Sequence, residues 1–535
     1  MAKIFISFFN GISDFENSNA IPCFYESLFF ELKKAGNEIL YYDNRSWAQD
    51  FPKAPKVFIN KLRLFNPDLI IIFNNCCFDL SKEFFCPIII WEVDSPLYFS
   101  NIKNIQENPN RYIYILAQTS SLKVTEEMFN PKKSLIHYLP FSTSVVAEDI
   151  QIKNNIVFIG TKFNSNNIIS NFMATDPDEN EINKFKQILK YVEENPFINE
   201  NEIIDKFKVK SNKIKNHLIM KELIENLSSK NRIQTLSIIS SLGLAIYGTK
   251  NWIEDLPNEL EIILSYKNKL VYSLKHNQNL YNSSKIGINI NHIQAKTGFS
   301  WRVCDIMASN ACLVTEFKQD MKQLFPKIKI PTYKNKYEAY EVCRKLLKED
   351  NLRREIVLSC QEIINKKFRF SFRLKDLEQI TNIKFFNKAL GSIKRIDYYP
   401  VIEPFEDFKI MVLKDKNTNL QFKSRVKLII YLILLIINQI PVINKFFIDR
   451  DTIIFNIKTI INGGQISKIL ILAKKSNKLL KHKIYKQFNF ISFVKKIFKN
   501  KNKIKVKFIS KINLILYSLF IIVKQVFYIF ISLFN

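Results

Sequence analysis

Four polar side chains within residues 281–326 are spaced so that they could act together on one ligand. They are Ser300, Arg302, Asp305 and Glu316. A guanidinium forms charge-assisted hydrogen bonds to phosphate, and a carboxylate can bind hydroxyl groups or accept a proton. An arginine, a serine and two carboxylates brought together therefore suit an anionic ligand that also carries hydroxyl groups.

The predicted elements around these residues place all four at one edge of a sheet. Residues 286–290 form a β-branched run that predicts a buried parallel strand, and Ser300 suits the N-cap of a helix over residues 301–310. Residues 311–315 predict the next strand, with Glu316 at its carboxyl end. Ligands of open α/β sheets lie outside the carboxyl ends of the strands. We therefore expect the four side chains at a single ligand-binding rim.

This stretch also resembles a known family. The run SWRVCDIMASNACLVTE, residues 300–316, resembles the donor-site signature of the CgeB-like glycosyltransferases, which have the GT-B fold. The signature has Ser, one residue, Arg, two residues, an acid, a small-residue turn, an apolar strand and another acid. Asn310 stands where the family usually has Gly, so the chain departs from the pattern at this turn. An ordinary βαβ unit whose arginine forms a salt bridge remains the alternative.

Further elements of the same family occur at the ends of other predicted strands. The family's first domain has a PDL strand, found here at residues 67–69, and a strand end of Trp, two residues, Asp, one residue and Pro, found here at residues 91–96. Its YG…W element is found at residues 247–252. The resemblance implies that Asp94 faces a cleft between two domains. An Asx turn or a helix cap before the following proline explains this aspartate equally well.

The resemblance implies a reaction. A glycosyltransferase of this class moves a sugar from a nucleotide-sugar donor, here to a glycan, lipid-linked or protein acceptor of the cell envelope. It would use no metal and no other cofactor, since basic side chains and helix N-termini stabilise the leaving diphosphate. Two alternatives remain: an inactive nucleotide-sugar-binding or scaffold protein, and a nucleotide-sugar epimerase with a similar fold.

The same resemblance implies a role for each residue of the site. The expected donor-binding residues are Gly248, Gly298, Ser300, Arg302 and Glu316, and the expected catalytic residues are Asp94 and Asp305. Arg302 is expected to bind the diphosphate, and Glu316 the hydroxyls of the ribose or the sugar. Asp305 is expected to orient Arg302 or to hold sugar hydroxyls. Asp94 is the candidate base if the transfer inverts the anomeric carbon.

The predicted fold class is α/β, with two Rossmann-like parallel-sheet domains, a helical insertion and a basic, apolar helical C-terminal tail. Residues 1–150 are predicted to form a Rossmann-like domain, because strand, loop, helix and strand follow one another from its first residues, and the resemblance implies that this is the acceptor-side domain. Residues 151–395 are predicted to form the donor-binding domain, and the polar, charged stretch 164–236 predicts its helical insertion. Residues 396–535 are left as a linker and the tail.

Neither the acidic nor the sulfur-bearing residues indicate a metal site. Asp176-Pro177-Asp178 has the form of a metal-binding DxD, but it lies in a polar loop beside Glu179 and predicts a solvated turn. The eight cysteines have no CxxC spacing and no histidine at a metal-ligand spacing. We expect them to be core residues of a protein in a reducing cytosol.

The C-terminal tail carries most of the net charge. Residues 421–535 contain 22 Lys and Arg against two Asp, a net charge of +20 out of +29 for the chain. This charge is interleaved with apolar residues, and a basic run over residues 495–507 precedes the apolar stretch 512–534. Basic, aromatic-rich amphipathic segments bind anionic membrane surfaces. We therefore expect a cytoplasmic protein that is peripheral on the inner face of the cell membrane.

Other interpretations of the tail are weaker. The stretch 512–534 is long enough to span a membrane, but Lys524 near its middle opposes insertion. Nucleic acid is not an expected partner, because no nucleic-acid-binding motif accompanies the charge. Packing within the chain or in an oligomer remains open.

Overall fold

The computed structural model describes residues 1–10, 20–44, 51, 54, 56–163, 168–195, 198, 200–249, 251–254 and 259–396. The chain divides into two compact units, Met1–Tyr399 and Pro400–Asn535. The predicted tail lies outside the described residues, so its attachment to a membrane stays a prediction. In the part of the chain that is described, no helix combines the length and the apolar character needed to cross a bilayer.

The first sheet has seven parallel strands in the order β12-β2-β1-β3-β4-β5-β6. Its elements before residue 140 are β1 (Lys3–Phe9), α1 (Cys23–Lys34), β2 (Glu38–Asn44), α2 (Lys56–Phe65), β3 (Leu69–Phe73), β4 (Ile88–Trp91), α3 (Ile102–Glu107), β5 (Tyr112–Leu116), α4 (Ser120–Phe129) and β6 (Ile136–Tyr138).

The central strands of this sheet are apolar because both of their faces are covered. Leu69, Ile71 and Phe73 of β3 pack into a core that includes α1. Ile70 and Ile72 pack into a second core that includes α2. Continuous apolar strands of this kind are typical of parallel sheets between two layers of helices.

The second sheet has five parallel strands in the order β11-β10-β9-β7-β8. Its part of the chain contains β7 (Asn154–Ile159), α5 (Ile168–Met173), α6 (Glu179–Glu194), α7 (Glu200–Lys206), α8 (Asn212–Lys215), α9 (Met220–Ile239), β8 (Leu244–Tyr247), α10 (Asn251–Glu254), α11 (Leu260–Ser265), α12 (Leu274–Asn282), β9 (Ser284–Asn289), α13 (Arg302–Ala308), β10 (Cys312–Glu316), α14 (Gln319–Leu324), β11 (Thr332–Tyr333), α15 (Lys336–Lys348), α16 (Asp350–Lys367) and α17 (Phe370–Thr381), and β12 (Ser392–Arg395) follows.

Helices α5 to α9 form the predicted helical insertion between β7 and β8. They have a hydrophobic core of their own, in which the rings of Phe172 and Phe185 stack at 4.1 Å and the ring of His217 lies 5.5 Å from that of Phe172. Helix α9 is the longest of the five and also packs against α15. The insertion is thus a small bundle attached to the second sheet.

The end of the described chain returns to the first sheet. Strand β12 pairs in parallel with β2, with Ser392 opposite Glu38. The sequence assigned residues up to 395 to the second domain, and a four-residue strand with two exposed positions carries little signal of its sheet. The predicted fold class, α/β with two Rossmann-like parallel sheets and a helical insertion, is confirmed.

Candidate active site

A cavity of about 170 Å³ lies where the carboxyl ends of the two sheets meet. Residues that follow β4 and β5 form one side of it, and residues that follow β7 and β9 form the other. Asp94, Ser300 and Arg302, three of the predicted site residues, line this cavity. Ligands of open α/β sheets bind at this position.

Ser300 is not the N-cap that the sequence predicted. Helix α13 begins at Arg302, with Trp301 in the cap position. Ser300 instead donates from Oγ to Asn289 Oδ1 at 2.7 Å and from its backbone N–H to Asn291 Oδ1 at 2.9 Å. The polar groups that follow β9 therefore hold Ser300 in the cavity wall.

The Arg302 side chain lies along an aromatic surface. Its guanidinium carbon is 5.3 Å from the centroid of the Trp301 ring, and that ring stacks on Phe24 of α1 at 5.5 Å. The Arg302 side chain forms no hydrogen bond or ion pair with another described residue. Its positive charge is therefore available to a ligand in the cavity.

The carboxylate of Asp94 is partly buried and is held from two directions. Asn74 Nδ2 donates to Oδ2 at 2.7 Å, and Gln294 Nε2, from the segment after β9, donates to Oδ1 at 2.6 Å. Burial raises the pKa of Asp94, and these two amides lower it. The Asx-turn interpretation does not apply, since Ser95 caps the following turn by accepting from the backbone N–H of Leu97.

Glu92 is a fully buried carboxylate of the cavity, and the sequence did not assign it to the site. It accepts hydrogen bonds from the Ala117 N–H at 2.7 Å, from Gln118 Nε2 at 3.1 Å and from Ser121 Oγ at 2.5 Å. Burial raises its pKa to about 7. Its position directly after the apolar strand β4 is the signal that could have identified it.

Arg232 of α9 also lines the cavity and was not predicted. It is only 4% exposed, and its guanidinium donates to the carbonyl oxygens of Thr161 at 2.6 Å and Ile290 at 3.1 Å. It lies on the buried face of α9, between Ser228 and Leu236 one turn away on either side. An arginine at a core position of a helix is a signal that the sequence contained.

His292 is a neutral member of the cavity wall. Burial and the nearby positive charges of Arg232 and Lys318 lower its pKa to about 3. Its Nδ1 accepts from the backbone N–H of Gln294 at 3.3 Å. The imidazole therefore adds no positive charge to the cavity at neutral pH.

Asp305 is buried on the other side of α13, outside the cavity lining. Its carboxylate accepts from Thr143 Oγ1 at 2.5 Å and from Cys23 Sγ at 3.6 Å. Burial raises its pKa to about 6. Asp305 thus joins α13 to the chain that leads out of the first sheet.

Glu316 stands at the end of β10, as the sequence predicted, but it does not line the cavity. Its carboxylate accepts from Asn231 Nδ2 at 2.6 Å and from the backbone N–H of Asn291 at 3.0 Å. It therefore connects α9 to the segment that follows β9.

The two predicted glycines allow close packing and lie outside the cavity lining. A Cβ on Gly248 would lie 2.1 Å from the carbonyl oxygen of Gly160, at the end of β7. A Cβ on Gly298 would lie 2.5 Å from the Cβ of Gln118, which belongs to the segment after β5. Larger residues at either position would force the backbone segments apart.

The described residues include no group of three or more His, Cys, Asp or Glu side chains placed to hold a metal ion. In the DxD sequence, Asp178 caps α6 by accepting from the Glu181 N–H at 2.8 Å, and the Glu181 carboxylate accepts from the Asp178 N–H at 3.0 Å. This reciprocal pair is a capping box. The DxD sequence is therefore part of a helix start.

All eight cysteines are free thiols, and seven of them are buried. Burial raises the pKa of both Cys76 and Cys77, which are adjacent at the end of β3. Both therefore remain protonated core residues near neutral pH.

Residues 221–379 match the model of a protein family described as "Glycosyl transferase-like". The match spans under a third of the chain and runs from α9 to α17, across most of the second sheet. The second part of the molecule is thus a glycosyltransferase-like domain, and the glycosyltransferase class predicted from the sequence is confirmed, while its independence of a metal ion stays a prediction. None of the curated proteins compared with the chain matches it.

Several solved structures are also similar to this chain, and three of them are given below. Anabaena Alr3699/HepE, solved in complex with UDP and glucose, is 10% identical, with 72% of this chain and 100% of that chain covered and a TM-score of 0.38. T4 phage BGT, in complex with UDP and Mn2+, is 11% identical over 71% and 99%, with a TM-score of 0.41. Sucrose-phosphate synthase from Thermosynechococcus elongatus is 9% identical over 71% and 98%, with a TM-score of 0.43. Similarity at this level does not transfer a substrate to this chain.

Proposed function

We propose that this protein is a CgeB-like glycosyltransferase that binds a nucleoside-diphosphate sugar in the cavity and transfers the sugar. The observation that carries the proposal is the position of Arg302. It has no ion-pair partner among the described residues and lies in a cavity at the carboxyl ends of both sheets, to which the first sheet contributes Asp94. The glycosyltransferase family match over residues 221–379 supports the same class of reaction.

Arg302 is the group suited to the leaving diphosphate. Transfer breaks the bond between the anomeric carbon and the diphosphate, and negative charge grows on the departing oxygen. A fixed guanidinium stabilises that charge more in the transition state than in the ground state. The Arg302 guanidinium lies 5.3 Å from the Trp301 ring, and this cation–π contact favours the side-chain position that the stabilisation requires.

Asp94 is the proposed base if the reaction inverts the anomeric carbon. The acceptor hydroxyl must then lose its proton as it attacks, and a base is most effective when its pKa lies near the working pH. Burial raises the pKa of Asp94 toward the working pH. The amides of Asn74 and Gln294 keep its two oxygens in a fixed orientation.

The two halves must separate for a donor to enter. The cavity of about 170 Å³ is smaller than the ~300–1,000 Å³ of pockets that enclose drug-sized ligands. Polar contacts hold the halves together at its edge: Thr119 donates from N and Oγ1 to Asp320 at 2.9 and 2.5 Å, and its Oγ1 also lies 3.0 Å from Thr297 Oγ1. Hydrogen bonds of this kind exchange with water at small net cost. Closure around the donor would then exclude water from the reaction.

Asp305 and Glu316 are proposed as positioning residues. Asp305 anchors α13, which carries Arg302, to Thr143. Glu316 fixes the backbone of Asn291 in the cavity wall. Neither needs to touch the donor to affect its binding.

The acceptor and the location of the protein are proposed from the sequence. The basic, apolar tail over residues 421–535 would hold the enzyme on the inner face of the cell membrane. An acceptor of the cell envelope, such as a lipid-linked glycan, would meet the cavity there. The cations of the cavity would act in place of a metal ion.

A panel of nucleoside diphosphates and their sugars tests this proposal. We expect at least one of them to raise the melting temperature of the wild-type protein, because a ligand that binds only the folded state stabilises it. Arg302→Ala should abolish most of that shift. If no nucleotide in the panel shifts the wild-type protein, the proposed donor class is wrong.

A further inference from the structure

Two hydrogen-bond donors in the cavity wall have no partner among the described residues. They are Nε of Arg232 and Nδ2 of Asn291, and both atoms are fully buried. Their residues are 4% and 1% exposed, and both line the cavity that contains Arg302. A buried donor without an acceptor is costly, and most such groups in folded proteins have a partner. The two atoms therefore indicate an acceptor that occupies the cavity.

The orientation of Arg232 is fixed by its other contacts. Nη1 donates to the Thr161 carbonyl at 2.6 Å and Nη2 donates to the Ile290 carbonyl at 3.1 Å. The guanidinium carbon also lies 3.9 Å from the centroid of the Phe163 ring. These contacts hold the guanidinium in place, and Nε is the nitrogen of Arg232 that has no partner among the described residues.

The orientation of the Asn291 amide is fixed in the same way. Its Oδ1 accepts from Asn289 Nδ2 at 3.0 Å and from the Ser300 N–H at 2.9 Å. Because two N–H groups point at this atom, it must be the oxygen, and the unpaired atom must be the NH2 group.

The acceptors of the cavity wall are, in contrast, already paired. Both oxygens of Asp94 accept side-chain amides, both oxygens of Glu92 accept donors from the segment after β5, and Nδ1 of His292 accepts a backbone N–H. The unpaired groups of the wall are donors, and two of them belong to guanidinium groups. A ligand that matches them offers several acceptor oxygens and negative charge.

We propose that Arg232 and Asn291 form, together with Arg302, the binding site for the diphosphate of the donor. This inference rests on the proposed function and adds to it that the helical insertion, through α9, contributes directly to donor binding. An anion between the two arginines would also offset the mutual repulsion that, with burial, lowers the pKa of Arg232. Glu316 favours the charged form of Arg232 and raises its pKa, but both Glu316 oxygens are bonded to Asn231 and Asn291 and leave Nε of Arg232 unpaired.

Inorganic pyrophosphate is the probe that isolates this site from the nucleoside. Calorimetric titration of the full chain should show binding to the wild-type protein and at least tenfold weaker binding to Arg232→Gln. Lys230→Gln is the matched control: Lys230 lies on the same helix, is exposed, and loses the same charge. Its affinity should change less than twofold.

A second variant keeps the inference testable if Arg232→Gln fails to fold. Asn291→Asp keeps the oxygen that accepts from Asn289 and Ser300 and replaces the unpaired donor with a negatively charged acceptor. It should also weaken pyrophosphate binding at least tenfold, with the melting temperature as the check on folding.

The outcomes separate this inference from the proposed function. If nucleoside diphosphates bind and depend on Arg302, but Arg232→Gln and Asn291→Asp bind pyrophosphate as the wild type does, the inference is overturned and the proposed function stands. If pyrophosphate binding depends on Arg232 and Asn291 but no nucleotide binds, the anion site stands and the donor class fails. If the folded wild-type protein does not bind pyrophosphate at millimolar concentrations, the inference is overturned.

Discussion

Gln294 and Asp94, 200 residues apart in the chain, meet across the cavity through a 2.6 Å hydrogen bond from Nε2 to Oδ1. The amide oxygen of Gln294 also accepts from the Ser95 N–H at 3.0 Å, so both ends of its side chain are bound to the other half of the molecule. The position of the candidate base therefore depends on a residue of the donor-binding half.

This contact predicts a change in pH dependence. The Gln294 amide lowers the pKa of Asp94, so Gln294→Ala should raise that pKa and move the acidic limb of the kcat/KM profile to higher pH. Gln323→Ala, at an exposed position of α14, serves as the control and should leave the profile unchanged. An acidic limb at the wild-type pH in Gln294→Ala would show that Asp94 is not the titrating base.

Arg302→Ala should weaken the binding of a nucleoside diphosphate at least tenfold. A charge-assisted hydrogen bond is worth ~1.5–3 kcal/mol, and ~1.4 kcal/mol corresponds to a factor of ten. Arg354→Ala removes an exposed arginine of α16 and should bind as the wild type does. Equal affinities of the two variants, with both folded, would remove Arg302 from the site.

The titration of Asp305 should make the free energy of unfolding depend on pH. Its pKa is about 6 in the folded state against ~3.9 in an unfolded chain, so the folded state binds the proton more tightly. The stability that this group contributes is present below pH ~4 and is lost as the pH rises through about 6, a change on the order of 3 kcal/mol.

Asp305→Asn should remove that part of the pH dependence, because an amide keeps the acceptor for Thr143 Oγ1 and does not titrate. Denaturant unfolding between pH 4 and 7 measures the free energy of unfolding at each pH. Asp149→Asn, at an exposed position, should follow the wild-type curve. If the unfolding free energy of Asp305→Asn depends on pH as that of the wild type does, the pKa of Asp305 is not raised in the folded protein. Because the amide oxygen still accepts from Thr143 and anchors α13, the folded variant should still bind the nucleotide.

The tail yields a prediction that depends on charge and hydrophobicity alone. A chain that ends at about residue 420 should lose binding to anionic vesicles and keep its nucleotide affinity, since +20 of the net charge is removed. Vesicle flotation, with neutral vesicles as the control, measures the binding to anionic vesicles. Calorimetry measures the affinity for the nucleotide. If the shortened chain aggregates, or if the full chain does not bind vesicles of any charge, the membrane proposal is wrong.

The fold was predictable because its signals are local and repeated. Buried strands such as β3 and β4 are continuous apolar runs, and polar residues follow them directly. The return of β12 to the first sheet was not predictable, since pairing between Ser392 and Glu38 is a long-range contact of a short strand.

The site was predictable where a residue follows a strand or begins a helix. Asp94 and Arg302 meet that condition and line the cavity. The sequence could not show that Asp305 faces Thr143 on the far side of α13, because this depends on how the two halves pack. Arg232 was missed because, in the sequence, it lies within an inserted helix and far from the residues at which a strand ends.

The most direct test of the central claim is an assay that follows what becomes of the nucleotide-sugar donor. Purified full-length protein should release the nucleoside diphosphate from one member of a panel of labelled nucleoside-diphosphate sugars, with the sugar recovered on an acceptor or as the hydrolysed sugar. Arg302→Ala should reduce that release at least tenfold, and EDTA should leave it unchanged. Recovery of an epimerised nucleotide sugar, or no turnover of a donor that binds, would contradict the proposal that this protein is an active glycosyltransferase.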